Sequence, residues 1–410
     1  MGSGFRKSLD IITKGLNFKK IKFKSGQKVY DWQIPKEWNI KEGYILDPNN
    51  RKFCNFKENN LHVIGYSSAI NKILNLDDLK KKLYSLKKLP NAIPYVTSYY
   101  KKRWGFCIKY NQLKKLKPGK YKVYINSKFS NGNLVVGEKV IRGKSKKEIL
   151  FSSYLCHPSM ANNELTGPIV LSEICKKLKN KRLNYSYRFV LTSETIGAIA
   201  YLKKRGEYLK RNLIAGYQLT CLGDRGNFTY KKTKLSNSYS DYLAIKALML
   251  KKKKFKTVEF FPTGSDERQY SSPRFNLPIG SLMRTPYDKY KEYHTSLDNK
   301  EFINFKSIQE SINVYLKIIE INEKNRFYKN NLGFGEPQLG KRGLYGNLSS
   351  YNAFNSELST ITNNFFWILS LSDGKTSSHE IFEKTNSSLK IFNKSVKILK
   401  KKKLISVHDL

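Results

Sequence analysis

Short apolar runs of strand length alternate with helical periodicity through the middle of the chain. The strand-like runs lie at 149–155, 189–192, 214–221, 258–261 and 277–283. The segment between the first two runs places apolar residues three and four positions apart, as one face of a helix does, and so does the segment 303–322. Strands that alternate with helices in this way predict an α/β fold, with a mainly parallel sheet covered by helices on both faces.

Two other regions show different patterns. Strand-like runs at 61–66, 95–100, 105–110 and 120–127, with the turn signal Pro118-Gly119 before the last of them, indicate a small β-rich domain. A glycine-rich connection at 332–348 leads to three helical segments and a final strand-like run at 404–407, the outline of a winged helix. The capping box Ser377-Ser378-His379-Glu380 begins the second of these helices.

These changes of pattern predict a division of the chain into four segments. Residues 1–60 form the first part of the α/β domain, and residues 61–136 form the inserted small β-rich domain. Residues 137–345 form the main part of the α/β domain, which carries the candidate chemistry. Residues 346–410 form a winged helix-turn-helix domain.

The charge balance of the chain is strongly basic. Its 77 Lys and Arg residues stand against 32 Asp and Glu, which gives a formal net charge of +45. Such a charge is typical of proteins with a polyanionic partner such as nucleic acid. The lysines are spread over the whole length, however, with abundant Asn, Ile, Phe and Tyr, a mixture that AT-rich coding bias also produces. We therefore interpret the charge mainly as a solvated basic surface and keep a nucleic-acid partner as the alternative.

Cysteine usage and hydropathy indicate the cellular compartment of the protein. Five cysteines lie far apart and form no C-x-x-C pair, so they indicate neither a disulfide framework nor a cysteine zinc site. The first residues lack the apolar run of a signal peptide, and the longest apolar stretches, such as 365–371, are too short to cross a membrane. We expect a soluble, cytoplasmic protein with no membrane insertion.

Four chemically active side chains follow strand-like runs of the α/β domain. His157 follows the first run, Glu194 the second, Asp266 a later one and His294 the last. Sites in α/β sheets form outside the carboxyl ends of the strands, so these side chains are expected to meet. Imidazole nitrogen and carboxylate oxygen are zinc ligands, and a carboxylate beside a zinc-bound water can take its proton. The pattern predicts a metal-dependent reaction centre.

The order and context of these residues resemble the co-catalytic zinc aminopeptidases. The resemblance rests on the series His, an Asn-rich turn with Thr-Gly, Glu-x-x-Gly, Ser-Asp and Tyr-His-Thr. A closer resemblance, over nearly the whole chain, is to aminopeptidase-like proteins linked to bacterial surface-polysaccharide biosynthesis. It is carried by CHPSMANNELTGP at 156–168 and GEPQLGKRGLY at 335–345. This resemblance implies a zinc aminopeptidase-like domain, an inserted small β domain and a C-terminal winged helix.

The resemblance also implies roles for the four side chains. His157 and Asp266 match two ligands of one zinc ion, and His294 matches a ligand of the second. Glu194 matches the general base. The implied activity is that of a zinc-dependent, aminopeptidase-like hydrolase that cleaves an amide or ester bond.

Two positions depart from the aminopeptidase pattern. Asn163 stands where those enzymes place the aspartate that bridges the metals, and Thr195 stands where they place a glutamate ligand. Two divalent ions about 3.5 Å apart need such negative charge to offset their repulsion. We therefore expect one zinc ion rather than two, with Asn163 as a neutral ligand beside the histidines and the aspartate.

Other residues suggest how a substrate is bound. Arg268 and Tyr287 follow the Ser-Asp strand and could bind a carboxylate or phosphate, or serve only to hold loops. Trp104 belongs to an aromatic cluster with Tyr95 that could stack on a sugar, or could form the core of the β-rich domain. The expected substrate is a small molecule, a sugar or a peptide-like group. The alternatives are a catalytically impaired carbohydrate-binding or acyl-transfer relative, and a DNA-binding regulator that acts through its winged helix.

Overall fold

The computed structural model describes residues 1–98, 100–345 and 357–408. The predicted start of the winged-helix domain at 346, the end of the glycine-rich connection and Tyr99 of the predicted 95–100 strand lie outside the described residues. The chain divides into two compact units. The first comprises Met1–Gly143 and Glu148–Ile318, and the second comprises Lys144–Lys147 and Ile319–Leu410.

A large sheet forms the core of the first unit. Its strands, in spatial order, are β1 (Lys19–Lys24), β10 (Asn133–Ile141), β12 (Ser186–Thr192), β11 (Glu148–Tyr154), β13 (Leu213–Gln218), β16 (Ile279–Met283), β14 (Phe228–Lys231) and β15 (Phe255–Val258). The pairs β11–β12, β11–β13, β13–β16 and β14–β15 are parallel, and the pairs β1–β10, β10–β12 and β14–β16 are antiparallel. The sheet is therefore mixed and mainly parallel, as predicted.

Helices cover both faces of this sheet. Neighbouring residues of β11 point to opposite faces, so their contacts show what packs on each face. Leu150 packs in a core with Tyr201, whereas Phe151 stacks on Tyr217 and meets Tyr315 edge-on. Tyr201 and Tyr315 lie on two different helices. The helices of this unit are α1 (Ser3–Ile12), α2 (Leu76–Lys80), α3 (Tyr110–Leu113), α4 (Thr166–Leu178), α5 (Ile196–Asn212), α6 (Tyr239–Leu250), α7 (Glu267–Tyr270) and most of α8 (Phe305–Lys324).

A second, antiparallel sheet lies in the same unit. Its strands are, in order, β5 (Lys52–Phe53), β4 (Glu37–Leu46), β9 (Lys120–Ser130) and β6 (Ile70–Asn75). Two short pairs accompany it: the hairpin β2 (Lys28–Val29) with β3 (Trp32–Gln33), and the parallel pair β7 (Leu83–Tyr84) with β8 (Phe106–Cys107).

The extent of this small sheet differs from the predicted insert at 61–136. The sheet begins upstream, because β4 pairs with β9 from Glu37↔Ser130 to Leu46↔Lys122. At the other end, β10 crosses position 136 and belongs to the large sheet. The sequence misled here because the strand-like part of residues 1–60 is interrupted by polar and charged residues that resemble a loop.

Two strands predicted in this region are irregular segments. Residues 61–66 contain a 3-10 turn at Asn60–His62, and both this segment and the described part of 95–100 make only single bridges, such as Gly65↔Thr97. The backbone of Tyr66 has a φ of 63°, which ends the extended conformation. Apolar side chains of these segments are buried without a ladder, so an apolar run alone did not distinguish them from a strand.

The second unit has the predicted winged-helix outline. Its antiparallel sheet has the order β18 (Asp373–Ser377), β17 (Phe327–Asn330) and β19 (Ile405–Val407). Its helices are α9 (Glu357–Leu371), α10 (Ser378–Thr385) and α11 (Leu389–Lys401), and the end of α8 also belongs to it. The predicted capping box of α10 is present in both directions between Ser377 and Glu380. Since β17 is the middle strand, the sheet begins before the predicted boundary at 346.

A search of the described helices finds none with the length and apolar character needed to cross a membrane.

Candidate active site

The ends of two neighbouring strands bring the first predicted residues together. β11 and β12 are parallel, and Tyr154 at the end of one lies opposite Thr192 at the end of the other. His157 and Glu194 follow shortly after these ends, and Nε2 of His157 lies 3.6 Å from Oε2 of Glu194. The structure therefore places a predicted metal ligand beside the predicted general base.

Burial shifts the protonation of both groups. The pKa of Glu194 is raised because the carboxyl is buried away from water, although the nearby His157 opposes this rise. Burial lowers the pKa of His157, but the neighbouring Cys156 and Glu164 outweigh it and the resulting pKa lies well above the usual range. A carboxyl with a raised pKa has the proton affinity that a general base requires.

His294 lies beside His157 and is held by the segment between β7 and β8. The two imidazole centroids are 5.0 Å apart, and the ring of Tyr95 packs edge-on against both. The backbone N–H of Tyr95 donates to the carbonyl oxygen of His294 at 2.8 Å, and Ser296 exchanges hydrogen bonds with Ile93. Burial, then the nearby His157, lower the pKa of His294 to about 3, so its imidazole stays neutral and able to bind a metal.

Asn163 reaches the site from a π-helical turn at Ala161–Leu165. The carboxylate of Asp298 accepts the backbone N–H groups of Asn162 at 2.5 Å and Asn163 at 3.0 Å, and so fixes this turn. The side-chain amide of Asn163 donates towards the hydroxyl of Tyr154 at 3.4 Å. Asp298 had no role in the sequence prediction, and its only signal was its place four residues after His294.

Asp266 is tied to the residue after the predicted base. Its Oδ1 accepts the backbone N–H of Thr195 at 2.7 Å. Burial, and then the charge of Glu194, raise the pKa of Asp266 well above its usual range. Nη2 of Arg268 donates to the Thr195 hydroxyl at 3.0 Å. The Arg268 guanidinium is therefore hydrogen-bonded to the loop after β12.

Several donor atoms of the site are suited to a metal. Within the described ranges, the buried atoms Asn163 Oδ1, Asp266 Oδ2 and His294 Nε2 have no hydrogen-bond partner. Buried polar atoms are rarely left without partners, and imidazole nitrogen with amide or carboxylate oxygen is a donor set that zinc accepts. The three atoms are therefore of the kinds that a zinc ion accepts as ligands.

The structure groups a different trio most tightly. Cys156, His157 and Glu164 offer ligand atoms within 4.8 Å of one another, the only such group of His, Cys, Asp and Glu in the part of the chain that the structure describes. Neither Asp266 nor His294 belongs to it. Glu164 lies next to the predicted ligand Asn163, and the sequence already made it a further candidate for the ligand shell.

A cavity of about 660 Å³ opens onto His157 and Glu194. Aromatic residues form part of its wall, among them Trp38, Tyr66 and Tyr95. The rings of Trp38 and Tyr66 stack with centroids 5.7 Å apart, and the indole N–H of Trp38 donates to the Ser67 carbonyl at 2.8 Å. The indole is thereby held in one orientation. Of these wall residues, the sequence analysis pointed to Tyr95, as a member of the aromatic cluster with Trp104.

The predicted substrate-binding residues lie elsewhere. Trp104 packs against the core of the small sheet, which is the alternative that the sequence left open. The hydroxyl of Tyr287 lies in a buried group, 3.0 Å from Nζ of Lys231 and 3.1 Å from Oε1 of Glu267. Among the described residues that line the cavity, neither of them nor Arg268 is present. Trp104 packs against a core and Tyr287 is hydrogen-bonded internally, so substrate binding by either residue stays a prediction.

The fold is aminopeptidase-like and is followed by a C-terminal winged helix-turn-helix domain. The chain belongs to the family described as a domain of unknown function, DUF4910, whose model matches residues 1–325. A winged helix-turn-helix model matches residues 326–407. The resemblance expected from the sequence is thus confirmed.

Three relatives illustrate this placement. A candidate polysaccharide biosynthesis protein with an aminopeptidase-like domain from Clostridium acetobutylicum is 42% identical over 384 residues, which cover 94% of this chain and 87% of that protein. A crystal structure of a candidate peptidase from the same species matches with a TM-score of 0.82 at 40% identity, over 99% of this chain and 92% of that one. A zinc aminopeptidase from Bacillus subtilis matches with a TM-score of 0.55 at 12% identity, over 78% and 89%, which shows the fold alone.

Proposed function

We propose that this protein is a zinc-dependent, aminopeptidase-like hydrolase that cleaves an amide or ester bond in surface-polysaccharide biosynthesis or modification. The observation that carries this proposal is the 3.6 Å approach of the Glu194 carboxylate to Nε2 of His157 at a cavity. The names of the Clostridium relatives support both the peptidase-like class and the link to polysaccharides. The free state of all five cysteines favours a reducing compartment such as the cytoplasm.

The proposed zinc ligands are His157, His294 and Asn163, with Asp266 as the acidic ligand. A zinc ion bound there would polarise the substrate carbonyl and lower the pKa of a water molecule. A single ion is favoured because Asn163 and Thr195 carry no charge. The hydrogen bond of Arg268 to Thr195 adds a positive charge near the same loop, which further disfavours a second cation.

The remaining chemistry belongs to the protein's own side chains. Glu194 accepts the proton of the attacking water and later delivers it to the leaving group. Tyr95, packed against both imidazoles, keeps their rings in place. Trp38 lines the cavity and is held in place by Tyr66 and Ser67, and an aromatic ring is a surface on which the apolar face of a sugar ring can stack. These features favour an acylated or aminoacylated sugar as the substrate over a free peptide.

The test combines metal analysis with a substrate panel on the full-length chain. Purified protein is expected to contain about one zinc per chain, and this zinc should be lost in a double variant with His157→Ala and Asp266→Ala. Zinc-loaded protein should release an acyl or aminoacyl group from amide- and ester-linked sugars, and Glu194→Gln should abolish this release. Protein that binds no zinc under these conditions contradicts the proposal.

Two alternatives from the sequence stand beside this proposal. Zinc-independent binding of acylated sugars without turnover would identify the catalytically impaired, carbohydrate-binding or acyl-transfer relative. A DNA-binding regulator is favoured by one observation, the exposed lysines 390, 394, 397 and 401 along one face of α11.

A further inference from the structure

The carboxylate of Glu164 contacts the His157 segment through both of its oxygens. Oε2 lies 2.7 Å from Nδ1 of His157, and Oε1 accepts the backbone N–H of Cys156. Side-chain exposure is only 5% for His157 and 3% for Glu164. A buried carboxylate held in this way is a fixed hydrogen-bond acceptor for the Nδ1–H group of the imidazole.

This contact makes the two ring nitrogens of His157 chemically different. A neutral imidazole carries its proton on one nitrogen and a lone pair on the other, and the hydrogen bond to Glu164 places the proton on Nδ1. The lone pair is then on Nε2. This is the nitrogen that lies 3.6 Å from Glu194, at the cavity.

We propose that Glu164 is a positioning residue, which holds His157 in the tautomer and orientation that present Nε2 to the metal. This inference rests on the proposed zinc site. A carboxylate that accepts the remote N–H of a ligating histidine fixes its ring and raises its basicity. Glu164 also places a negative charge close to a site in which Asn163 and Thr195 are neutral.

The backbone explains how neighbouring residues reach different partners. Asn163 and Glu164 are consecutive in the turn Ala161–Leu165, whose N–H groups are held by Asp298. This turn directs the Glu164 carboxylate to Nδ1 of His157. It leaves Oδ1 of Asn163 buried and unpaired within the described structure, and therefore available as a metal ligand.

The competing interpretation is that Cys156, His157 and Glu164 themselves hold the metal, since their ligand atoms are mutually within 4.8 Å. In that arrangement the metal would have to displace the hydrogen bond between Glu164 and Nδ1. It would also have to replace the contact in which the Cys156 sulfur accepts the backbone N–H of Glu194 at 3.3 Å. The existing contacts therefore favour Glu164 as a hydrogen-bond acceptor rather than a ligand.

The first experiment measures zinc affinity, by competition with a chelator, for the full-length protein and for Glu164→Gln and Glu164→Ala. The exposed Glu207 supplies a matched control, Glu207→Gln. We expect Glu164→Ala to weaken zinc binding by about 10- to 100-fold. Glu164→Gln should be intermediate, because its amide oxygen still accepts Nδ1–H while its NH2 group cannot accept the Cys156 N–H. The thermal midpoint of each variant shows whether it is folded.

The visible spectrum of Co²⁺-substituted protein separates a positioning residue from a ligand. If Glu164 only positions His157, all three Glu164 forms give the same spectrum because the ligand set is unchanged. A spectrum that changes in folded Glu164→Gln, or an affinity of folded Glu164→Ala within about twofold of the parent, overturns the proposal.

A measurement without metal keeps this inference distinct from the zinc proposal. The chain has five histidines, so ¹⁵N-histidine NMR spectra of metal-free protein can be assigned, with His157→Gln identifying the relevant signals. At a pH where the imidazole is neutral, the parent protein should show a protonated Nδ1 and Glu164→Ala a mixture of tautomers. A parent with a protonated Nε2 overturns the role of Glu164, whereas a normal tautomer in a protein that binds no zinc overturns only the zinc site.

Discussion

Nη2 of Arg268 donates a hydrogen bond to the hydroxyl of Thr195 at 3.0 Å, while the backbone N–H of Thr195 donates to Asp266. The Arg268 guanidinium, which belongs to α7, therefore places a positive charge beside Thr195. The resemblance to the zinc aminopeptidases implies a glutamate ligand at the position of Thr195. The electrostatics of this loop therefore favour one divalent ion over two.

The metal count should respond to this pair of residues. We expect about one zinc per chain in the parent protein and about two in the double variant Thr195→Glu with Arg268→Ala, because the change removes one positive charge and adds one negative charge. Metal analysis after removal of loosely bound ions measures the ratio. Arg274→Ala, in the loop before β16, is a control that should stay at the parental value. Two tightly bound zinc ions in the parent protein would show that the neutral side chains do not limit the site.

Replacing Glu194 should remove catalysis and spare metal binding. Glu194→Gln cannot accept a proton, so we expect kcat to fall by about 10²- to 10⁴-fold. Zinc content should be unchanged, since Glu194 acts as a base and not as a ligand. Because burial raises the pKa of Glu194, parental activity should rise with pH through a value above the usual glutamate range. A variant that keeps full activity, or loses its zinc, argues against this assignment.

The sequence predicted the large sheet and the strand-end site because both depend on local patterns. His157 and Glu194 follow apolar strands that turn out to be adjacent and parallel, so the general rule for α/β sheets brought them together. The partners of these residues were harder to predict. Glu164 reaches His157 through a π-helical turn, and the contact of Tyr95 with His294 joins residues far apart in the chain.

The small sheet and the cavity wall, in contrast, were not predictable from local patterns. β4 contains polar and charged residues along a strand that is only partly buried, so it lacks the apolar run that identifies a strand. Trp38 and Tyr66 meet only after this strand has paired with β9. Trp104, by contrast, was a candidate because of its aromatic cluster with Tyr95, and it packs against the core of the small sheet.

The basic face of α11 offers a direct test of the regulator alternative. Lysines 394 and 397 are exposed and lie on the same side of this helix. If this face binds nucleic acid, replacing both with glutamate in the full-length chain should weaken binding to a DNA duplex by at least about tenfold and reduce the salt dependence. A gel-shift titration at several salt concentrations provides the measurement. The control is the same charge reversal at Lys72 and Lys122 on the small sheet. Equal losses in both variants would indicate only non-specific attraction to a protein of net charge +45.

Stability should depend on a buried ionic group far from the predicted reaction. The Glu138 carboxylate on β10 accepts hydrogen bonds from Arg188 at 2.5 Å, from Arg205 at 2.8 Å and from the Tyr201 hydroxyl at 2.7 Å. Replacing Glu138 with Gln leaves the buried Arg188 guanidinium with one carboxylate fewer. We therefore expect the free energy of unfolding to fall by about 3 to 5 kcal/mol. Denaturant unfolding measures this change, and Glu207→Gln on the exposed side of α5 should alter it by less than about 0.5 kcal/mol.

The pH dependence of the stability loss in Glu138→Gln follows from the lowered pKa of the Glu138 carboxyl. Burial alone would raise the pKa of Glu138, but Arg205, Tyr201 and Arg188 outweigh burial and lower it below 4.5. The stabilisation is therefore fully present above the unfolded pKa and is lost as the pH falls through the lower, folded value. The difference between the parent and Glu138→Gln should accordingly be constant near neutral pH and shrink as the pH falls below the usual glutamate range. A difference that grows on acidification would mean that Glu138 is not held as a carboxylate by its three partners.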